Sequence, residues 1–517
     1  MTPFAILFVA FAGRCLAAPV IDPPAADTSS ATFFLKAAAY RPAPPGLARA
    51  AASTMTRAAR FLMSDTGIDH ALRDESGRKV PPYIYHAVID DGNGFSRISY
   101  PAFHHAYLIE AFLNYYNYSG NGEGIRRARQ LADWTITHST PADWKWGSLP
   151  WSTFEEGKPG GQEDKDNLQP DKVGYMGLAY TRLYEVTGSR AYLDAARRAA
   201  DTLVRHQGFD GSWPFRVNPR TGEVFQQYTA ALFMNAAFME KMYALTKNRD
   251  YKNAQITAWM WMLRNPVRTG NWGGLYEDIP KGVESQVHYS PLQTIRLLLR
   301  YRTPLNARSY LEKARRLFDE TMDGLAFDDP DMGLILREQT AYLAATPSAT
   351  MNWSMMAAEF YLATGEERYR QTVLEALRNV TRYGLKPDGR THNTVLGGWM
   401  YGDSASWYSL TSPVVRYIYQ DMGCLPELAP GGETHILRSC TQVRRVRYGK
   451  RGVVYESLPD SIELIKLASA PTAVKAGGRR LSPSPGLAAS SGFLYDPGSH
   501  VLLVRHASAT VEVTLRP

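Results

Sequence analysis

The chain has 517 residues, of which 44% are hydrophobic and 21% are charged, and its formal net charge is +8. This composition is typical of an ordinary globular protein and excludes an intrinsically disordered chain. The length is sufficient for a large buried core and for more than one domain.

The first residues have the pattern of an export signal. Residues 4–13, FAILFVAFAG, form an uncharged apolar run that is too short to span a membrane, and CLAAP at 15–19 offers small residues for cleavage. No Lys or Arg precedes this run, and Arg14 lies close to the cleavage region. We predict a signal peptide over 1–18 and an N-terminal extension over 19–45, and therefore a secreted or periplasmic protein without a membrane span.

The chain has three cysteines, and Cys15 lies in the predicted signal peptide. An even pair in an oxidising compartment favours one disulfide, between Cys424 and Cys440, and two buried free thiols are the alternative. The cysteines lack the CxxC spacing and the neighbouring histidines of a metal site. We therefore expect this disulfide, no metal site and no cofactor.

Four segments of the chain align on a tyrosine. They are TGSRAYLDAA around Tyr192, TKNRDYKNA around Tyr251, NARSYLEKA around Tyr310 and TGEERYRQTV around Tyr369, and successive tyrosines are 59 residues apart. Equal spacing in segments that are not of low complexity predicts one structural unit that is repeated.

Each repeated unit contains two predicted helices. The first, such as VGYMGLAYTRLYEVT at 173–187, is apolar on most faces, whereas the second, such as AYLDAARRAADTLVRHQ at 191–207, carries a charged face. Six inner helices are predicted near 101–118, 172–187, 227–247, 288–302, 349–364 and 404–420. Six outer helices are predicted near 48–63, 123–138, 190–206, 249–264, 307–322 and 366–383. Because a ring buries the apolar face that one hairpin exposes, we predict a mainly α fold, an (α/α)6 toroid over 46–423.

The sequence pattern changes after about residue 423. Short runs such as GVVYES, SIELIKL and HVLLVRH alternate with Pro, Gly and Ser, which predicts a small antiparallel β-sandwich over 424–517. This segment holds 12 Lys and Arg against 7 Asp and Glu. A basic patch binds nucleic acid or an acidic polysaccharide, or it is only a solvated face. For an exported chain we expect no nucleic-acid partner.

A helical toroid followed by a β module resembles many carbohydrate-active enzymes, both glycoside hydrolases and polysaccharide lyases. The resemblance covers nearly the whole chain after the predicted signal peptide, but it is architectural and identifies no single family. It implies an enzyme that cleaves glycans, although a fold alone does not determine function.

Long segments join each outer helix to the next inner helix, whereas the turns TGSR, TKNR and TGEE are short. Long ordered loops on a rigid scaffold usually build sites, so we predict the site at the long-loop end of the toroid. These loops hold seven of the eleven tryptophans, and indole faces stack on sugar rings. The predicted sugar-binding tryptophans are Trp151, Trp213, Trp272 and Trp399, with packing between loops as the alternative.

Hydrolysis of a glycosidic bond needs two carboxyl groups, one protonated and one ionised, roughly 5 to 10 Å apart. Four acids in the long loops have aromatic or apolar neighbours, which raise the pKa of a carboxyl group and suit it to general acid catalysis. The candidate catalytic residues are Glu277 and Asp278 in LYEDIP, Glu338 in LREQ and Asp403 in MYGDS. A loop or helix-capping role is the alternative for each.

β-Elimination at a uronate is the rival chemistry. It needs a base such as His or Tyr and a group that neutralises the substrate carboxylate. The candidate histidines are His105, His288 and His392. The candidate arginines are Arg216 in WPFRV, Arg220 in NPRTG and Arg337 in LREQ. A guanidinium fork matches a carboxylate better than a hydroxyl, so these arginines favour a glycan that contains uronic acid.

The sequence thus predicts an exported enzyme that cleaves an acidic oligo- or polysaccharide. Hydrolysis with β-glucuronidase-like activity is favoured because the loop acids are better placed than a His/Tyr pair. A polysaccharide lyase that acts by β-elimination and a non-catalytic glycan-binding surface protein are the two alternatives.

Overall fold

The structure is a computed structural model in which the predicted signal peptide over 1–18 lies outside the described residues. The predicted N-terminal extension also lies outside them, except for its last four residues. The described residues are 42–64, 80–90, 95–155, 158–159, 167–276, 279, 282–341, 345–392, 405–484 and 491–516.

Twelve long α-helices lie within these ranges. In chain order they are α1 (Leu47–Met63), α2 (Ala106–Ser119), α3 (Glu123–Thr137), α4 (Val173–Thr187), α5 (Arg190–His206), α6 (Phe233–Thr246), α7 (Arg249–Arg264), α8 (Tyr289–Arg300), α9 (Ala307–Leu325), α10 (Pro347–Thr364), α11 (Glu367–Tyr383) and α12 (Tyr408–Cys424). None of the helices described has the length and apolarity needed to cross a membrane.

The even-numbered helices form the inside of the ring and the odd-numbered helices form the outside. Eleven of the 15 residues of α4 are buried, against eight of the 17 residues of α5, whose buried positions recur at three and four residues. The last inner helix, α12, packs against both α1 and α2, which closes the ring. The predicted (α/α)6 toroid is therefore confirmed.

The third inner helix begins later than predicted, at Phe233 instead of residue 227. The preceding residues are held in another conformation, because Val224–Gln226 pairs with Arg216–Val217 as a short antiparallel hairpin. The backbone N–H of Phe215 also donates to the carbonyl of Gln226 at 2.9 Å. Residues that pair in a strand cannot also be helical, so Val224–Gln226 belongs to the loop that precedes the helix.

The tyrosines that repeat every 59 residues connect neighbouring outer helices. The hydroxyl of Tyr192 donates to Asp133 of α3 at 2.9 Å, and that of Tyr251 donates to Asp201 of α5 at 2.5 Å. Tyr310 accepts a hydrogen bond from Trp259 of α7 at 3.3 Å. The repeat thus marks one packing contact that recurs around the ring.

Two inner helices, α4 and α6, approach each other closely at Gly174. A Cβ atom added there would lie 2.5 Å from the backbone nitrogen of Asn235 in α6, and this backbone cannot move aside as a flexible side chain would. We expect Gly174→Ala to lower the free energy of unfolding by about 1–3 kcal/mol, measured by chemical denaturation. The control is Gly324→Ala in α9, where the added methyl group meets open space. Equal stability of the two variants would contradict this close approach.

Short strands occupy the long-loop end. They are β1 (Ala87–Asp90), β2 (Phe95–Ser99), β3 (Phe154–Glu155), β4 (Lys158–Pro159), β5 (Arg216–Val217), β6 (Val224–Gln226), β7 (Ala326–Asp329), β8 (Gly333–Leu336) and β9 (Ala405–Trp407). Five of them form one antiparallel sheet in the order β4-β3-β2-β1-β9. This sheet ties loops that are distant in sequence to one another.

Nine strands follow the toroid within the described part of the chain. They are β10 (His435–Ser439), β11 (Val443–Gly449), β12 (Gly452–Ser457), β13 (Ser461–Lys466), β14 (Pro471–Ala476), β15 (Arg479–Arg480), β16 (Gly492–Asp496), β17 (Val501–His506) and β18 (Thr510–Leu515). Two antiparallel sheets, β10-β13-β17-β16 and β11-β12-β18-β14-β15, enclose one apolar core. The predicted β-sandwich is confirmed, and Tyr116 of α2 packs into its core.

Cys424 and Cys440 are not joined to each other in the structure, and the disulfide between them stays a prediction. Cys424 ends α12 and is buried, with Arg438 at 4.0 Å from its sulfur, whereas Cys440 follows β10 and is exposed. Burial raises the pKa of Cys424 to about 12. One thiol thus lies inside the protein and the other at its surface.

A buried ion pair lies inside the sandwich. The Nε2 atom of His506 is 2.7 Å from Glu463, and both side chains are 0% exposed. Burial acts to lower the pKa of His506, but the hydrogen bond and the charge of Glu463 outweigh it and raise this pKa above 6.5. The charged histidine therefore stabilises the fold below pH 6.5, and this contribution is lost as the pH rises through the raised pKa.

We expect the unfolding midpoint of the sandwich to fall between about pH 6 and about pH 9 more steeply in the parent than in His506→Gln. The measurement is denaturation followed at both pH values. His500→Asn, at an exposed position of the same module, is the control and should keep the parent's pH dependence. Identical pH dependence in His506→Gln and the parent would contradict the prediction.

Candidate functional site in the axial cavity

A cavity of about 710 Å³ follows the axis of the toroid. All six inner helices line it, and residues 438–442 of the β-sandwich form part of its wall. Buried residues from the first turns of inner helices lie at one end, whereas Arg300 and Cys440 are exposed at the other. The cavity therefore opens beside the sandwich, at the end of the short turns. Its volume is in the range of small-molecule sites.

Aromatic side chains close the inner end of the cavity and form what we call its floor. The floor consists of Tyr107, Tyr175, Phe233 and Tyr289, with the ring centroid of Tyr107 at 5.8 Å from Tyr175 and 5.7 Å from Tyr289. The hydroxyls of Tyr107 and Tyr175 have no hydrogen-bond partner among the described residues. Burial raises the pKa of both well above 10.0, so both remain protonated donors. Ring faces combined with hydroxyl donors suit a sugar.

An ion pair lies beside the floor. Arg416 donates from Nε to Glu110 at 2.7 Å and from Nη2 at 2.6 Å, and Gln420 donates to the other carboxylate oxygen at 2.8 Å. The guanidinium also lies over the Tyr107 ring, 3.9 Å from its centroid. Burial acts to raise the pKa of Glu110, but the positive charge of Arg416 outweighs it and lowers this pKa, so the carboxylate is ionised. The Nη1 atom of Arg416 has no partner among the described residues.

Positive charge exceeds negative charge on the cavity wall. Seven Lys and Arg side chains and four Glu side chains line it, which leaves a formal surplus of +3. The other three glutamates form ion pairs, which are Lys241–Glu185 at 2.6 Å, Arg296–Glu359 at 3.0 Å and Arg300–Glu240 at 3.0 Å. Arg182 instead donates to two neutral amides, Asn114 at 2.7 Å and Gln442 at 2.8 Å. Such a wall attracts an anionic ligand.

The described residues contain no group of three or more His, Cys, Asp or Glu side chains that is arranged to hold a metal ion. The polar side chains that line the cavity include carboxylates, guanidinium groups, an ammonium group and tyrosine hydroxyls. An ionised carboxylate beside cations can act as a base or as a nucleophile toward a sugar.

A second buried polar cluster lies on the long-loop side of the floor. The rings of His86 and His104 stack at 4.4 Å, and the Nδ1 atom of His86 contacts the hydroxyl of Ser409. Burial lowers the pKa of His86 to about 3 and that of His104 well below 6.5, so both imidazoles are neutral. The Nδ1 atom of His104 has no partner among the described residues. Burial thus disfavours the charged, protonated form of both imidazoles.

The tryptophans predicted to bind sugar are covered by other residues in the structure. Trp151 is 5% exposed, Trp213 is 0% exposed and Trp272 is 7% exposed. The indole N–H of Trp213 donates to the carbonyl of Leu203 at 2.8 Å, which fixes this side chain against α5. Trp399 lies outside the described residues. The three described tryptophans thus pack the loops against the ring.

The three predicted arginines are dispersed over the loops. Arg216 is 3% exposed and donates to Gln226 and to the carbonyl of Ile279, each at 3.0 Å. Arg220 is exposed in the turn between β5 and β6. Arg337 lies over the Phe327 ring, 4.4 Å from its centroid. Arg220 is thus exposed, Arg337 is half-buried and Arg216 is buried.

The structure brings His288 and Glu338 together. The Nδ1 atom of His288 lies 2.7 Å from the backbone carbonyl of Glu338, and burial lowers the pKa of this histidine to about 4. His105 uses both ring nitrogens, toward Thr135 and the carbonyl of Ile84, each at 2.7 Å. His392 is half-buried in the loop between α11 and α12.

Three of the four predicted catalytic acids, Glu277, Asp278 and Asp403, lie outside the described residues. None of the predicted catalytic or sugar-binding residues that are described lines the axial cavity. The cavity instead uses charged residues of the inner helices. Arg182 in VGYMGLAYTRLYEVT and Glu110 in AYLIEAFLNYYNYS interrupt otherwise apolar helices. A charge inside an inner helix was the signal available in the sequence, because such a residue must face a polar interior.

No protein family model matches the chain, and no curated protein matches it in sequence. Solved structures match it in fold. One is a D-mannose isomerase, with 12% identity and a TM-score of 0.54 over 72% of this chain and 97% of that chain. A cellobiose 2-epimerase from Spirochaeta thermophila has 13% identity and a TM-score of 0.54, with coverage of 74% and 99%. An unsaturated glucuronyl hydrolase specific for heparin has 12% identity and a TM-score of 0.51, with coverage of 74% and 99%. These similarities show that the chain has the six-hairpin toroid fold.

Proposed function

We propose that this chain is an exported glycoside hydrolase of β-glucuronidase-like activity, which acts on oligo- or polysaccharides that contain uronic acid. The observation that carries this proposal is the axial cavity, where a floor of tyrosines meets a wall with a surplus of positive charge. The floor provides ring faces for a sugar, and the cations provide partners for its carboxylate. The fold of an unsaturated glucuronyl hydrolase, shared by this chain, supports the same substrate class.

Glu110 and Glu359 are the proposed carboxyl pair of the cavity. Glu110 is ionised, and the charge of Arg296 acts on both residues. The four loop acids remain proposed catalytic residues at the long-loop end. The predicted loop arginines, histidines and tryptophans are the proposed sugar contacts there. The loop acids are Glu277, Asp278, Glu338 and Asp403. Variants of the two sets assign the reaction to one end of the toroid.

A second candidate function is proton transfer at a carbon atom of a sugar, as in an epimerase. It is favoured by the stacked imidazoles of His86 and His104 behind the floor, because the Nδ1 atom of His104 has no partner among the described residues. β-Elimination with a tyrosine base is less favoured, because burial keeps the hydroxyls of Tyr107 and Tyr175 protonated.

The test is incubation of the purified full chain with a panel of uronate-containing oligosaccharides and their neutral counterparts. A hydrolase produces new reducing ends without ultraviolet absorbance, and a lyase produces an unsaturated uronate that absorbs. An epimerase changes the sugar without new reducing ends, which NMR spectroscopy detects. Binding without any product would identify a glycan-binding protein. We expect new reducing ends from the acidic substrates, and the absence of any product across the panel would refute the hydrolase proposal.

A further inference from the structure

We propose that Arg182 and Arg416 bind the carboxylate of a uronic acid, with the β-sandwich residue Gln442 holding Arg182 in position. The identity of the ligand rests on the function proposed above. The site lies at the boundary of the two domains, since Arg182 belongs to α4 and Gln442 follows β10.

Arg182 differs from four other cations on the cavity wall in its hydrogen-bond partners. Those four, which each pair with a glutamate, are Lys241, Arg296, Arg300 and Arg416. Its hydrogen bonds run from Nε to Gln442 at 2.8 Å and from Nη2 to Asn114 at 2.7 Å, and both acceptors are neutral amides. The amides fix the plane of the guanidinium without neutralising its charge. Because a half-buried cation with neutral partners retains its attraction for an anion, Arg182 is suited to receive a carboxylate.

Arg416 provides the second donor. Its Nε and Nη2 atoms donate to Glu110. Its Nη1 atom has no partner among the described residues, although the residue as a whole is only 2% exposed. A buried donor without a partner is costly, and a ligand oxygen satisfies it. Tyr107 and Tyr175 also line the cavity, and their unpaired hydroxyls can bind the hydroxyl groups of the sugar.

The β-sandwich takes part in this site through one segment. Residues 438–442 line the cavity, and Ser439 donates to the buried Glu463 of β13 at 2.9 Å. Thr441 is held to Ser461 at 2.9 Å in the same way. The segment that carries Gln442 is therefore anchored in the core of the sandwich. This gives the module a role in recognition that a detached glycan-binding domain would not have.

The experiment measures binding of glucuronate, glucose and glucose 6-phosphate to the full chain by calorimetry. We expect glucuronate to bind best. Arg182→Gln should weaken glucuronate binding about tenfold, while glucose binding changes less than about twofold. Gln442→Ala should weaken glucuronate binding by a smaller factor, and Arg182→Lys should restore part of it. The matched control is Arg197→Gln in α5, whose side chain is 44% exposed on the outside of the ring.

Unchanged glucuronate binding in Arg182→Gln would overturn the proposal, as would tighter binding of glucose 6-phosphate than of glucuronate. If Arg182→Gln does not fold, Gln442→Ala and Arg182→Lys decide the question in its place. Hydrolysis of uronate glycans that is insensitive to all three variants would refute this site but leave the proposed activity standing. If glucuronate binding depends on Arg182 but uronate glycans are not hydrolysed, the site is supported and the hydrolase proposal is refuted.

Discussion

Arg416→Met should lower the free energy of unfolding by about 2–3 kcal/mol, because it leaves the Glu110 carboxylate, whose side chain is 29% exposed, in the cavity without its cation. The Arg416 side chain is 3% exposed and the pair closes at 2.6 Å. Chemical denaturation of the parent and the variant measures the difference. The size of the effect follows from burial, since an exposed pair of the same type contributes little.

Two further variants make this result specific. Arg308→Met removes an arginine of α9 that is 93% exposed and lies 2.9 Å from Glu312, and no measurable change in stability is expected there. The double variant Arg416→Met with Glu110→Leu should regain part of the lost stability, because it removes the stranded charge as well. A similar loss in Arg308→Met and Arg416→Met would show that burial of the pair is not the cause.

Glu359→Gln should reduce kcat/KM on a uronate glycan about hundredfold while the protein remains folded. Glu359 lies on the cavity wall, 3.0 Å from Arg296, and its side chain is 21% exposed. Glutamine keeps the size of the side chain but removes the titrating group. Its stability cost is at most about 1 kcal/mol, since the partner Arg296 is 37% exposed. Steady-state kinetics and a denaturation curve separate the two effects.

The matched control for this variant is Glu312→Gln on the outer face of α9, which should retain the rate of the parent. Glu338→Gln provides the comparison at the long-loop end. Full activity of Glu359→Gln together with a large loss in Glu338→Gln would place the reaction among the long loops and not in the cavity.

The fold could be predicted because it is determined by a pattern that recurs along the chain. Tyr192, Tyr251 and Tyr310 occupy equivalent packing positions, so their spacing reports the repeat directly. The start of the third inner helix could not be predicted in the same way. Pairing of Val224–Gln226 with Arg216–Val217 decides it, and this is a tertiary contact.

The site was harder to predict because loop length indicates where a site can be built, not which side chains converge. The cavity depends on Glu110, Arg182 and Arg416, which lie on three different inner helices. Their proximity follows from closure of the ring, and no sequence spacing reports it. The pairing of Cys424 with Cys440 stays a prediction for a related reason, since an even cysteine count contains no geometry.

The tyrosine floor has a consequence for how a polymer would be handled. Among the described residues, Tyr107, Tyr175 and Tyr289 close the inner end of the cavity, so a ligand enters and leaves beside the sandwich. A chain cannot be threaded through such a blind pocket, so only its terminus fits, and each product departs before the next substrate enters. For the proposed hydrolase this geometry predicts release of single terminal units and slow turnover of polymers whose ends are blocked.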